Sequence, residues 1–302
     1  MSGADGTGDE SDRAIVRRDF GYTWGETDGT IWLRNDESEY KRIDPSFVEP
    51  LEALARGERD PSAADPDVLE AIDLLAAEGY LEPGGEIRRH ETPADIRLWP
   101  RSIAFGGMAI ALAVSVLNQW RAIWSPPGSI RGAVLVLAFF IAATVLHELG
   151  HYAASRPYFE PSIRVGHLNG VVPALITETR DGWQCPRNVR LWISLAGPFV
   201  DVVITLGAAI AFVRYPEHAV LGTCILVQLF RLLIVLNPLV DGDGYWLLVD
   251  IFGTHNLRRH AFRDLKRGRA TPKAAFAASI VAFTGAFVAA SGYLVGRLIG
   301  LV

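Results

Sequence analysis

The pattern of apolar and polar positions changes character near residue 100. Beyond it, five stretches at roughly 102–120, 132–153, 191–213, 219–240 and 274–299 are almost continuously apolar and long enough to cross ~30 Å of hydrocarbon. Before it, the pattern is that of a small water-facing fold. Residues 20–34, FGYTWGETDGTIWLR, alternate around Asp28-Gly29 and predict a β-hairpin. Pro45 opens a predicted helix through about Arg56. A second helix begins near Asp65-Pro66-Asp67, carries Val68, Leu69, Ile72, Leu75 and Ala76 at helical spacing, and stops at Gly79. The segment YLEPGGEIRRH then reads as a small wing.

The expected architecture is a multi-span α-helical membrane protein with about five transmembrane helices, a broken helix and a membrane-adjacent β-hairpin. A small α+β winged-helix-like domain precedes it. The expected boundaries are a disordered acidic tail at 1–13, the winged-helix domain at 14–83, a linker at 84–101 and the membrane domain at 102–302. A shorter apolar piece, YWLLVDIF (Tyr245 to Phe252), is too short to span.

Charge sharpens this division. Residues 1–100 hold 24 Asp and Glu against 11 Lys and Arg, whereas residues 101–302 hold 10 against 18. An acidic head opposes contact with nucleic-acid phosphates, so no nucleic-acid partner is expected despite the winged-helix plan. The start, MSGADGTGDESD, has neither a basic nor an apolar signal region, and no cleavable signal peptide is expected. The two cysteines, Cys185 and Cys224, are too few for a disulfide framework or a cysteine metal site. Arginine outnumbers lysine 26 to 3, which fits a GC-rich prokaryote.

Basic residues also suggest an orientation. The loop at 253–273 holds seven and that at 154–190 five, whereas the loops at 121–131 and 214–218 hold two and one. Alternating spans then put the head and both basic loops in the cytoplasm of a prokaryotic cell membrane.

The candidate chemistry lies in ATVLHELGHYAAS (Ala143 to Ser155), at the end of the second span. Ionisable groups inside a membrane are costly and functional by default. Counting 1.5 Å per residue from Gly132 puts His147 roughly 21 Å deep. His147 and His151, four apart, share one helix face and can grip one ion. Glu148 stands beside the first histidine, where a general base of a zinc hydrolase is needed.

A third protein ligand is required. Position 157 is proline, so the histidine of the metzincin spacing is absent. Glu160, His167 and Glu178 would have to fold back from the following loop. LNPLVDGDGYWLL (Leu236 to Leu248) is the better source: Pro238 breaks the fourth span at a depth near that of His147, and Asp241 and Asp243 follow. Asn237 is expected either to donate to substrate or a developing oxyanion, or to cap the helix end. The loop SIRVGHLNGVVPALITET (Ser162 to Thr179) predicts a hairpin around Asn169-Gly170, whose edge can pair with an extended peptide or serve merely as a connection. Two further charges, Asp201 and Arg231, fall at depths that agree within about 3 Å and predict a structural ion pair.

Three ordered motifs, HELGH ending one span, SLAGPFVD (Ser194 to Asp201) opening the next, and an Asn-Pro…Asp-Gly segment after a later one, resemble the site-2 protease family of intramembrane zinc metalloproteases. The closer similarity is to membrane peptide metalloproteases encoded near ribosomally made, modified peptides. Their Asn-Pro-Leu-x-x-x-Asp-Gly-Tyr segment aligns with Asn237, Pro238, Leu239, Asp243, Gly244 and Tyr245. The resemblance covers residues 102–273. It implies that His147, His151 and Asp243 bind zinc and that Glu148 is the base, although DGDG offers Asp241 as well. The head is similar, in order of elements over about 14–83, to PqqD-like domains that take a leader peptide as an added strand.

These readings and the resemblance lead to the expectation of a membrane-embedded zinc metalloendopeptidase. Its substrate would be a peptide or membrane-associated precursor, its partners membrane lipid and a leader peptide on the head. Two alternatives stand: regulated cleavage of a single-span regulator such as an anti-sigma factor, and a non-catalytic membrane binding or export-helper protein with a structural metal.

Overall fold

The structure, a computed structural model, describes residues 19–124, 129–168, 172–254 and 256–298. The acidic tail expected at 1–13 and the Asn169-Gly170 turn lie outside the described residues. The described residues form two units: those of 19–96 with 179–189, and those of 97–178 with 190–298.

In the first unit, β1 (Phe20–Thr27) and β2 (Thr30–Arg34) form the expected hairpin. Asp28 and Gly29 both take positive φ, +52° and +73°, the pairing whose twist matches that of the flanking strands. A third strand, β3 (Tyr40–Ile43), pairs with β2. Two helices follow, α1 (Pro45–Ala55) and α2 (Pro66–Ala77). Each starts with proline in its first turn behind a capping aspartate: Asp44 accepts from the Ser46 N–H, Asp65 from the Asp67 N–H. Phe20, Tyr22 and Leu33 of the sheet close a core with Leu51 and Leu54 of α1 and Ile72 and Leu75 of α2.

The wing and the linker need correction. The strands β4 (Glu82–Pro83) and β5 (Ile87–Arg89) both pair with β1, the first antiparallel and the second parallel. Residues 84–96 therefore belong to the head, because β5 satisfies backbone groups along the β1 edge. A second addition comes from far along the chain. A 3₁₀ turn at Arg180–Gln184 belongs to this unit. The Asp181 carboxylate accepts from the Tyr40 hydroxyl at 2.8 Å and pairs with Arg34 at 3.3 Å, and the Thr27 hydroxyl donates to the Gln184 carbonyl.

In the second unit, three helices are long and apolar enough to cross a membrane among the described residues: α3 (Trp99–Ile123), α4 (Ile130–Ser155) and α5 (Arg187–Arg214). This is fewer than the five expected. The fourth stretch forms α6 (Ala219–Val235), whose 17 residues rise only about 26 Å before the chain breaks at Asn237-Pro238. After the break come α7 (Asp243–Phe252) and α8 (Leu257–Lys266), and the fifth stretch lies in α9 (Pro272–Leu298). Ile103, Ile110 and Leu117 of α3 and Leu137 of α4 are more than half exposed. Water would penalise such a surface, and a lipid environment would not. The protein is membrane-associated by these helices. Inside, Leu112 and Val116 of α3 pack with Val202 and Phe212 of α5 and Ile225 and Leu232 of α6.

The expected second hairpin is present as β6 (Ser162–Leu168) and β7 (Val172–Glu178), paired antiparallel with Ile163 opposite Thr177.

Candidate metal centre

His147 and His151 project from the last turns of α4, and both are buried. One helical turn apart, their rings meet edge to face with Nε2 atoms 3.2 Å apart. The third member arrives across the break between α6 and α7. The Asp243 Oδ2 atom stands 3.1 Å from His147 Nε2 and 3.3 Å from His151 Nε2. His147, His151 and Asp243 form a group that could hold a metal ion.

The other ring nitrogens fix what these atoms are. His151 Nδ1 lies 2.7 Å from the Ile193 carbonyl oxygen, which only accepts, so Nδ1 carries the proton. His147 Nδ1 lies 2.7 Å from Asp201 Oδ2, and the carboxylate likewise accepts. Both Nε2 atoms of the neutral rings are therefore bare lone pairs facing a carboxylate oxygen. Three acceptors within hydrogen-bond distance repel one another, and Asp243 Oδ2 is buried with no hydrogen-bond partner. A positive charge shared among these atoms, a proton or a metal ion, would relieve that repulsion. Orientation of each imidazole by a carboxylate or a carbonyl is the usual support of a metal-ligating histidine.

Two tight backbone approaches make room for the group. A Cβ at Gly197 of α5 would lie 2.3 Å from His151 Nε2 and 2.6 Å from His147 Nε2, so only glycine fits there. A Cβ at Gly244 would lie 2.3 Å from the Leu236 carbonyl, so glycine allows the start of α7 to press against the end of α6. That contact brings Asp243 up to α4.

Asp241 is engaged elsewhere. Its carboxylate pairs with Arg258 at 3.2 Å, and Arg258 also donates to the Leu239 carbonyl and lies over the Tyr245 ring. Of the other carboxylates considered, Glu178 pairs with Arg164 across the hairpin. The Asn237 side-chain oxygen accepts from the Leu239 N–H at 2.9 Å, an Asx turn that follows α6 and leaves the last carbonyls of that helix uncapped by this side chain. Its side chain lines an apolar groove with Trp120, Trp124 and Leu236.

Glu148 faces β7. Its Oε2 accepts from the Thr177 N–H at 2.8 Å, and the Thr177 hydroxyl lies 2.8 Å from the same oxygen.

Asp201 and Arg231 do pair, Oδ1 to Nη1 at 2.6 Å. The expectation of a purely structural pair missed the second arm of Asp201, which reaches His147. It also missed Gly197, Ile193 and Thr177. A charge in a span flagged Asp201, and Gly197 lies inside the SLAGPFVD motif. Ile193 contributes only backbone, which carries no sequence signal.

Fold and site thus define a class: a membrane-associated helical protein with a His-His-Asp group, its histidines buried, that could hold a metal ion. No family model, no curated protein and no solved structure matches the chain.

Proposed function

We propose that this chain is a membrane-embedded zinc metalloendopeptidase of the site-2 protease kind. It hydrolyses a peptide bond in a peptide or membrane-associated precursor, in the maturation of ribosomally made peptides. The observation that carries the reading is the group of three ligand atoms, two Nε2 and one Oδ2, mutually 3.1–3.3 Å apart. Zinc bonds of ~2.05 Å in a tetrahedron set ligand atoms ~3.3 Å apart, so the spacing suits that ion, and imidazole with carboxylate suits its chemistry.

His147, His151 and Asp243 would hold the zinc, which supplies Lewis acidity toward a carbonyl and toward water. Three protein ligands would match the number found in catalytic zinc sites, which keep a position for reactants, rather than the four of structural ones. Glu148, one residue from His147, takes the proton from water and returns it to the leaving amine. Asp201 keeps the His147 proton on Nδ1, which leaves Nε2 free to ligate. The head lies in the cytoplasm of a prokaryotic cell and takes a leader peptide along β3, the last strand of its sheet.

The test uses the purified full chain in detergent, loaded with zinc and given a random peptide library read by mass spectrometry. Cleavage should be lost in Glu148→Gln while one equivalent of zinc stays bound. Undiminished cleavage by that variant removes Glu148 from the mechanism, and a parent that retains no zinc ends the reading.

A further inference from the structure

Thr177 is the penultimate residue of β7, 29 positions along the chain from Glu148. Its strand partner is Ile163, yet its backbone N–H donates at 2.8 Å to Glu148 Oε2. That N–H therefore points away from β6, toward α4. The hydroxyl approaches the same oxygen at 2.8 Å and the Glu148 carbonyl oxygen at 3.0 Å, and its single proton serves one of them at a time. Thr177 is itself buried, 7% exposed, so water competes poorly for these bonds. A glutamate has three rotatable side-chain bonds, and a dedicated N–H donor with a shared hydroxyl restricts that freedom.

We propose that Thr177 is a positioning residue that orients the Glu148 carboxylate. The backbone N–H holds Oε2, the hydroxyl shares its proton between Oε2 and the Glu148 carbonyl, and neither donor goes to Oε1, which is the oxygen left to exchange a proton with the reactants. The hairpin is thereby more than a connection between spans: its second strand is the support of the base. Threonine suits the place because it supplies a backbone donor and a hydroxyl from one residue. Valine matches its shape and lacks only the hydroxyl, whereas serine keeps the hydroxyl and lacks the methyl.

The inference rests on the role of Glu148 proposed above, and its experiment separates the two. In the zinc-loaded full chain in detergent, amide hydrogen exchange reports the Thr177 N–H directly. Glu148→Ala should speed exchange at that amide by roughly tenfold or more, and unchanged exchange overturns the inference whether or not the protein cleaves peptides. On the peptide from the library that is cut best, Thr177→Val should lower kcat by roughly tenfold, with KM and zinc content unchanged. Thr177→Ser should restore kcat to near the parent value. A Thr177→Val protein with the parent kcat, or one that loses zinc, or a Thr177→Ser protein as slow as the valine variant, each overturns the inference. Accelerated exchange in Glu148→Ala with no peptide cut by the parent supports the contact and overturns the protease reading instead.

Discussion

Asp201 and His147 are joined by a 2.7 Å hydrogen bond between Oδ2 and Nδ1, while Oδ1 of the same carboxylate takes Arg231 Nη1 at 2.6 Å. One buried aspartate thus ties a metal-ligand candidate on α4 to a cation on α6. Asp201 is wholly buried, and charges in that situation persist only when paired.

Removing either end of this relay should have different effects. Asp201→Asn leaves His147 a weaker acceptor and should lower metal affinity by roughly 10–100-fold, measured by chelator competition. Arg231→Met leaves the Asp201 charge buried without its cation and should cost roughly 3–5 kcal/mol of stability, read by thermal unfolding in detergent. If neither variant unfolds earlier than the parent, the ion pair does not support the fold.

Gly197→Ala tests the space between the imidazoles. The added methyl would lie 2.3–2.7 Å from three ring atoms of His147 and His151, inside contact distance. The variant should fold with its helical content intact and bind less than one-tenth of the parent's zinc at equal free metal, roughly. Stoichiometric zinc at parent affinity would show that the rings sit farther from α5.

The two aspartates of DGDG should separate cleanly. Asp243→Asn should abolish tight metal binding, since an amide oxygen carries no charge to hold the ion. Asp241→Asn breaks only a half-exposed pair with Arg258, worth ~1 kcal/mol or less, and should retain zinc. Metal analysis of the two variants decides the assignment.

The head should unfold in alkali. Burial, followed by the hydrogen bond to Asp181, pushes the Tyr40 hydroxyl far above its ordinary value of 10.0. Burial and the nearby Glu52 push Tyr22 up to about 12. Both groups keep their protons in the folded state longer than in the unfolded one. Their contribution is intact below pH ~10 and is lost as the pH rises beyond it, because the unfolded chain ionises first. Absorbance of tyrosinate should rise together with loss of the head's structure above pH ~10. Tyr40→Phe should blunt that dependence; an identical alkaline profile would exclude Tyr40 as a contributor.

Much of the fold was legible because the signals are local. Asp28-Gly29 demands positive φ at both residues, and proline behind aspartate opens α1 and α2, so hairpin and helices fell where expected. The break at Pro238 was visible for the same reason. The number of spans was less secure, because apolarity through residue 240 hides where α6 loses its helical hydrogen bonds at Val235.

The sequence by itself determined the pairing of His147 with His151, since a spacing of four residues in a helix leaves no other face for them. It also determined that charges at 201 and 231 had to meet something, since lipid forbids isolated ones. Only the tertiary structure decided which aspartate completes the group. Asp241 and Asp243 are alike in composition and separated by one residue; the close pressing of Gly244 on Leu236 turns one toward α4, and Arg258 engages the other. Tertiary structure alone also attached Asp201 to His147, Ile193 to His151 and Thr177 to Glu148. Those contacts join residues 29 to 54 positions apart, and a pattern with a period of two or four residues carries no information at that range.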